Sequence, residues 1–280
     1  MTSAQENTLF QSEHHPLVDV APVILEDHCL SLMHRKAYET ARELARGKAV
    51  LDLGCNDGYG TAIIAEGATS AVGVDLSLKA IEAARRAYPR ITFIHLTEPS
   101  LPFPDRSFDL ITAFQVIEHV ADVPPFLQEV RRLLKPGGSA LFTTPNRALR
   151  LLDGAPPWNP FHVREYIAQE LRDTLTPHFD EVEVRGLAGN ERIERIERGR
   201  LARHLRLARL ARAGLPGRAA ASLEYRLHRA LRKAAAAAGR VQLVRKARAL
   251  QFSRYRTSDL HYTTTELGEA LDLFARTSVR

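Results

Sequence analysis

The run Asp52-Leu53-Gly54-Cys55-Asn56-Asp57-Gly58-Tyr59-Gly60 holds the first residues suited to chemistry. Three glycines fall within seven residues, directly after an apolar run that ends near Leu53. Glycine lacks a Cβ, so such a loop lets its backbone approach a ligand closely. N–H groups exposed where a loop enters a helix favour a carboxylate or a phosphate. Twenty-one residues after Gly54, Asp75 closes the next apolar run, AVGVD. A carboxylate there is placed to accept hydrogen bonds from both ribose hydroxyls of an adenosine. The order G-x-x-x-G-x-G differs from the G-x-G-x-x-G of a dinucleotide loop. Two histidines form a second group, His119 in QVIEH and His162 in WNPFHVREY. An imidazole near its ordinary pKa suits removal of a proton from a hydroxyl. Cys55 has no paired base in the sequence and reads as a small buried side chain. No His, Cys and carboxylate grouping has metal-ligand spacing, so no metal is expected.

These residues need a scaffold, and the hydrophobic pattern supplies one. AVLDLG, AVGVD, ITFIHL, FDLITAF, SALFTTP, DEVEVRG and TSDLHYT read as strands. Between them lie helical stretches such as GTAIIAEGA and SLKAIEAARRAY, the latter with Ser77 as its expected N-cap. VPPFLQEVRRLLK and VREYIAQELRDTL read as further helices. Strands alternating with helices imply an α/β fold, a mostly parallel sheet covered by helices on both faces. A cap helix is expected over residues 26–46. A final helix is expected from about Thr265, with Thr263 and Glu266 in capping-box spacing. The chain divides into a polar segment with the cap helix (1–47), a core (48–190), a basic helical insertion (191–256) and a tail completing the core (257–280).

Five features occur in order: D-x-G-x-x-x-G-x-G after the first strand, Asp75 ending the second, LPFPDRSFDLITAFQVIEHV, LLKPGGSALFTTPN, and NPFHVREY. Together they resemble class I S-adenosylmethionine-dependent methyltransferases, over residues 45–190. The resemblance is closest to the small-molecule branch that includes ubiquinone and menaquinone methyltransferase-like enzymes. It implies a Rossmann-like, doubly wound sheet of seven strands with S-adenosylmethionine as cofactor. Asp52, Gly54, Cys55, Asn56 and Gly58 would then line the methionine half, and Asp75 would bind the ribose. Leu76 would lie against the adenine, and Thr97, with Glu98 beside it, would stand near the adenine amino group. Gln115 would face the reactive end. His162 and His119 become the candidate catalytic bases, and His34, Tyr38, Trp158 and Tyr166 the candidate walls of an acceptor pocket. The expected reaction is in-line methyl transfer to a small molecule, at an oxygen of a sugar, lipid-linked or quinone-like acceptor.

Charge is divided unevenly. Residues 191–256 carry 19 Lys and Arg against four Asp and Glu, whereas the remainder holds 20 basic and 29 acidic residues. Three readings of the basic segment stay open: a solvated helical hairpin, a surface for anionic lipid, and a nucleic-acid contact. Two alternatives to the small-molecule enzyme follow, an RNA-directed methyltransferase and a non-catalytic methyltransferase-like binding module. Strand four ends in AFQVIEH, without the Asn/Asp-Pro-Pro-aromatic pattern of many nucleobase N-methylating enzymes. Two cysteines cannot build a disulfide framework. With no apolar run near membrane-spanning length, the expected place is the cytoplasm, with peripheral contact at the inner membrane surface where the basic segment binds lipid.

Overall fold

The structure is a computed structural model and describes residues 25–97, 101–157, 159, 161–212, 230 and 252–280. Two candidate site residues, Glu98 and Trp158, lie outside the described residues. So do residues 1–24 and, within the basic insertion, residues 213–229 and 231–251.

Helix α1 (Leu25–Leu44) leads into β1 (Ala49–Leu53), α2 (Tyr59–Ala65), β2 (Ser70–Asp75), α3 (Leu78–Ala87) and β3 (Thr92–His95). The chain continues through β4 (Phe108–Phe114), α4 (Val123–Leu133), β5 (Leu134–Pro145), the single turn α5 (Arg147–Arg150) and α6 (Ala168–Leu175). It ends with β6 (Glu181–Gly189), α7 (Glu191–Arg212), β7 (Leu260–Thr263) and β8 (Asp272–Ser278). Ser77 caps α3 as expected, its hydroxyl accepting from the Ala80 N–H at 3.3 Å.

The eight strands form one sheet in the order β3-β2-β1-β4-β5-β8-β6-β7. The first five are parallel, β8 runs antiparallel to β5 and β6, and β7 runs antiparallel to β6. Both faces are buried, which explains the near-continuous apolar strands. Val50, Leu110, Leu141 and Phe274 pack on one face with α1 and α2, through Ala37, Tyr38, Ala41 and Ile64. Leu51, Ile111, Phe142 and Leu273 pack on the other with α4 and α6, through Phe126, Leu127, Leu171 and Leu175.

The tail departs from expectation. No helix starts at Thr265; a short 3-10 turn (Leu267–Glu269) is followed by β8, which makes the sheet eight-stranded rather than seven-stranded. Leu267, Leu271 and Phe274 have helical spacing, and short apolar runs fit either period. Tertiary context decides. Glu266 adopts a left-handed φ of 53°, which stops a helix there. From Asp272 onward, both faces of the segment are covered and both edges are hydrogen-bonded. A second departure concerns α6, which begins at Ala168, not Val163. The Val163 N–H instead donates to the Glu118 carbonyl at 2.8 Å, and Tyr166 forms a parallel bridge with Asn146.

Candidate active site

The loop after β1 is shaped by its backbone. The N–H groups of Gly54 and Cys55 both donate to the Val74 carbonyl, at 2.9 and 3.0 Å, and so turn the loop across the end of β2. Gly54, Asn56 and Gly58 all have left-handed φ values, 72°, 49° and 81°. Asn is among the few non-glycine residues that visit this region readily. Space is equally restrictive: a Cβ on Gly54 would lie 2.6 Å from the Val116 side chain. One on Gly58 would lie 2.6 Å from the Phe93 ring and 2.8 Å from the Ala84 methyl.

Two carboxylates hold this loop. Asp75 accepts from the Asn56 N–H at 2.9 Å and from the Ser77 N–H at 2.8 Å, one bond to each oxygen. Burial pushes its pKa up, and these backbone donors oppose that rise. Asp52 is 1% exposed and accepts from the Thr61 hydroxyl at 2.6 Å and the Thr112 hydroxyl at 2.7 Å. It thereby ties β1 to α2 and to β4. Burial raises its pKa to about 6 against the pull of both hydroxyls. Cys55 is buried, and desolvation pushes its thiol well above the usual range, which makes it a packing residue.

The loop fits an adenosine cofactor. Its left-handed positions leave a cradle without side chains, and each Asp75 oxygen keeps a lone pair for a ribose hydroxyl. Leu76 is half-buried, and its carbonyl accepts from the His95 Nε2–H at 3.0 Å. Thr97 is exposed just past β3. Gln115 leaves β4 with a φ of 57° while its N–H donates to the Thr143 carbonyl at 2.9 Å. Its side-chain amide donates to Asp272 at 2.8 Å and to the Thr143 hydroxyl at 3.3 Å.

Past Gln115, beyond the ends of β4 and β5, the fold brings both candidate histidines together. Their rings meet edge to face with centroids 4.7 Å apart. The chain around His162 is stitched to the turn after β4, because the Glu118 carbonyl accepts the Val163 N–H. His119 donates Nδ1–H to the Phe161 carbonyl at 2.9 Å, and His162 donates Nδ1–H to Glu165 at 2.7 Å. A carbonyl can only accept, and the carboxylate does so here, so each ring carries its proton on Nδ1 and its lone pair on Nε2. Burial lowers the His162 pKa although Glu165 opposes the shift, so this imidazole is neutral at neutral pH.

The surroundings are acidic and buried. Glu118, Glu165 and Asp272 are each at least nine-tenths buried, with Arg150 as the nearby cation, 3.4 Å from Glu165. Desolvation raises the Glu118 pKa to about 8. Desolvation followed by repulsion from Glu118 raises that of Asp272 well above the carboxylate range.

The other expected acceptor contacts are scattered. Tyr38 is buried against Phe114 and Tyr59, over Gly60, so it builds the core beneath the loop. His34 is half-buried one turn earlier on α1. Tyr166 is fully buried in the core cluster that holds Leu171 and Phe142, its hydroxyl without a hydrogen-bond partner. Sequence reasoning missed Glu165, Arg150, Asp272, Thr61 and Thr112. Glu165 lies three residues after His162 and Thr61 nine after Asp52, whereas Thr112 and Asp272 reach their partners across 60 and 157 residues.

Comparison with known proteins speaks to the fold and the family. The profile of a family described as "Methyltransferase domain" matches residues 51–142. A protein of Mycolicibacterium smegmatis described as "Probable S-adenosylmethionine-dependent methyltransferase" is 38% identical over 162 residues, 58% of this chain and 63% of that one. A ubiquinone biosynthesis O-methyltransferase of Actinobacillus pleuropneumoniae is 31% identical over 113 residues, 37% of this chain and 48% of that one. The chain thus spans about half to two-thirds of the length of these relatives. A solved S-adenosylmethionine-dependent methyltransferase from Thermotoga maritima superposes with a TM-score of 0.53 over 90% of this chain and 91% of its own, at 16% identity, a likeness of fold. The chain carries a class I S-adenosylmethionine-dependent methyltransferase domain, and S-adenosylmethionine is its cofactor.

Proposed function

We propose that the chain transfers a methyl group from S-adenosylmethionine to a hydroxyl oxygen of a small acceptor, a sugar, a lipid-linked molecule or a quinone-like ring. The observation that carries this reading is the buried histidine pair beyond β4 and β5, next to Gln115, on the side where the loop after β1 ends. The cofactor supplies an electrophilic methyl group on a sulfonium. The chain's own residues align the partners and exclude water, which supplies much of the rate for such a displacement. Asp75 orients the ribose, while Gly54, Cys55, Asn56 and Gly58 meet the methionine half and Leu76 and Thr97 the adenine side. Asp52 keeps a carboxylate behind the loop that favours the cofactor's positive charge. Gln115 is held by Asp272 at the reacting end. His162, oriented by Glu165, and His119 ease the loss of the acceptor's proton. Tyr38 supports the cofactor loop from α1, through its packing on Tyr59 and over Gly60. The name of the Actinobacillus relative supports an oxygen acceptor of quinone type.

Exposed Arg192, Arg195, Arg206 and Arg209 share one stripe of α7 and support contact with an anionic membrane surface, where a lipid-linked acceptor would be found. Among the described residues, no helix is long and apolar enough to cross a membrane.

Calorimetry with S-adenosylmethionine and its demethylated product tests the core of the proposal. Asp75→Ala is expected to weaken binding at least about tenfold, a loss of roughly 1.4 kcal/mol. His162→Ala is expected to lower turnover of a hydroxyl acceptor while leaving cofactor affinity nearly intact. Full turnover in His162→Ala would remove that residue from the chemistry.

A further inference from the structure

We propose that Glu118, His119 and His162 form a binding site for one divalent first-row transition-metal ion. The sequence spacing of these residues gives no hint of it, because two are adjacent and the third lies more than forty residues away. Folding places one donor atom from each within 4.8 Å of the others. Tetrahedral donors about 2.1 Å from an ion stand roughly 3.4 Å apart, so closure asks for side-chain movements of about 1 Å.

Three independent features point to an ion at this place. The first is the tautomer of each ring. Nδ1–H is committed to an outer acceptor in both, the Phe161 carbonyl for His119 and Glu165 for His162. That arrangement leaves Nε2 as the donor atom and matches the outer-shell pattern that orients metal-binding histidines. The second is Glu118, whose side chain is fully buried and whose carboxyl oxygens make no hydrogen bond of normal geometry, with the Thr144 hydroxyl as the neighbouring polar group. An ion supplies the missing partner. The third is the place of the cation: Arg150 forms its ion pair with Glu165, the outer carboxylate, and acts on Glu118 electrostatically.

The donor set chooses the class of ion. Two imidazoles and one carboxylate suit Zn²⁺, Fe²⁺, Co²⁺ or Mn²⁺ better than Mg²⁺ or Ca²⁺, which prefer all-oxygen shells. Three protein donors leave coordination positions open. The role that follows rests on the proposed function: an acceptor hydroxyl bound at an open position becomes more acidic. The histidines then ease deprotonation as ligands. The hydroxyl proton leaves to solvent, the oxygen forms the new bond to the methyl carbon, and the carbon–sulfur bond breaks with its electron pair on sulfur.

The test uses the full chain, untagged, stripped with chelator and titrated with Co²⁺ while its visible d–d absorption is followed. One saturable equivalent is expected, with a spectrum distinct from the aqua ion and displaced by Zn²⁺. Glu118→Gln and His162→Asn are each expected to weaken Co²⁺ binding at least about tenfold, and Glu165→Gln about tenfold through the outer shell. Binding of the demethylated cofactor reports that each variant is folded. Absence of saturable Co²⁺ binding by the unaltered chain overturns the site whatever the variants do. Binding that is unchanged in folded Glu118→Gln and His162→Asn overturns it equally. Ion binding without any methyl transfer would leave the site standing and remove the proposed function. Transfer that persists in chelator, by a chain that binds no Co²⁺, would do the reverse.

Discussion

Replacing Asp52 with Asn should stabilise the protein in a way that depends on pH. Asp52 is 1% exposed, and its pKa stands at about 6 in the folded chain. An unfolded aspartate titrates at about 3.9, so the rise of about 2 units corresponds to roughly 3 kcal/mol. Between those two values the folded state binds more protons than the unfolded state, so stability falls as pH rises. Below about pH 4 both states are protonated and the penalty vanishes; near pH 5 roughly half of it is present, and above pH 7 all of it. Asn keeps one acceptor and one donor for the Thr61 and Thr112 hydroxyls and carries no charge to desolvate. Urea unfolding of both proteins from pH 4 to pH 8 measures the effect, and other titrating groups cancel in the difference. The gap between variant and parent should widen by about 2.5 kcal/mol across that range. A gap independent of pH would refute this expectation, since it would mean that Asp52 is not ionised against a desolvation penalty. Cofactor affinity should move the opposite way. Asp52→Asn weakens binding, because the lost charge is the one that favours a cation behind the loop.

Three further outcomes are expected. Gly58→Ala combines a left-handed φ with overlap onto Phe93 and Ala84, so a loss of about 2–5 kcal/mol is expected in denaturant unfolding; a loss under about 1 kcal/mol would show that the loop relaxes freely. Asn56→Gly leaves the backbone bond to Asp75 in place, so cofactor affinity should stay within about threefold, and a tenfold loss would mean that the Asn side chain touches the ligand. Changing Arg192, Arg195, Arg206 and Arg209 together to Gln should reduce sedimentation with anionic vesicles, at about 1 kcal/mol per charge; unchanged sedimentation would detach α7 from any membrane role.

The core was legible because its signals were local. The strands from β1 to β6 and the helices packed on them announce themselves by apolar period, and Ser77 marks the start of α3 by its own side chain. Asn56 looked like an interruption of a glycine loop, yet its φ of 49° is one that Asn tolerates. β8 was not legible, because Leu267, Leu271 and Phe274 satisfy a helical period, and only strands on both sides make the segment extended. The histidines were visible as candidates, but their neighbours were not. Asp272 reaches Gln115 across 157 residues of sequence, and no spacing rule spans that distance. Arg150 and Glu165 meet because the segment ahead of α6 stays extended, against the helical pattern of VREYIAQEL.

The position of β8 also sets an order of assembly. β6 and β7 have no hydrogen-bonded partner among the five parallel strands and join them only through residues 272–278. Closing that connection brings Ser278 beside Ser139, and ordering so long an intervening stretch of chain opposes the step entropically. The parallel half can pair strand by strand through local crossovers before this happens. The same late step delivers Asp272 to Gln115. A chain whose parallel half has formed but whose β8 has not docked would therefore hold the cofactor loop without a finished acceptor side. Cofactor binding and acceptor chemistry should consequently appear at different times during refolding.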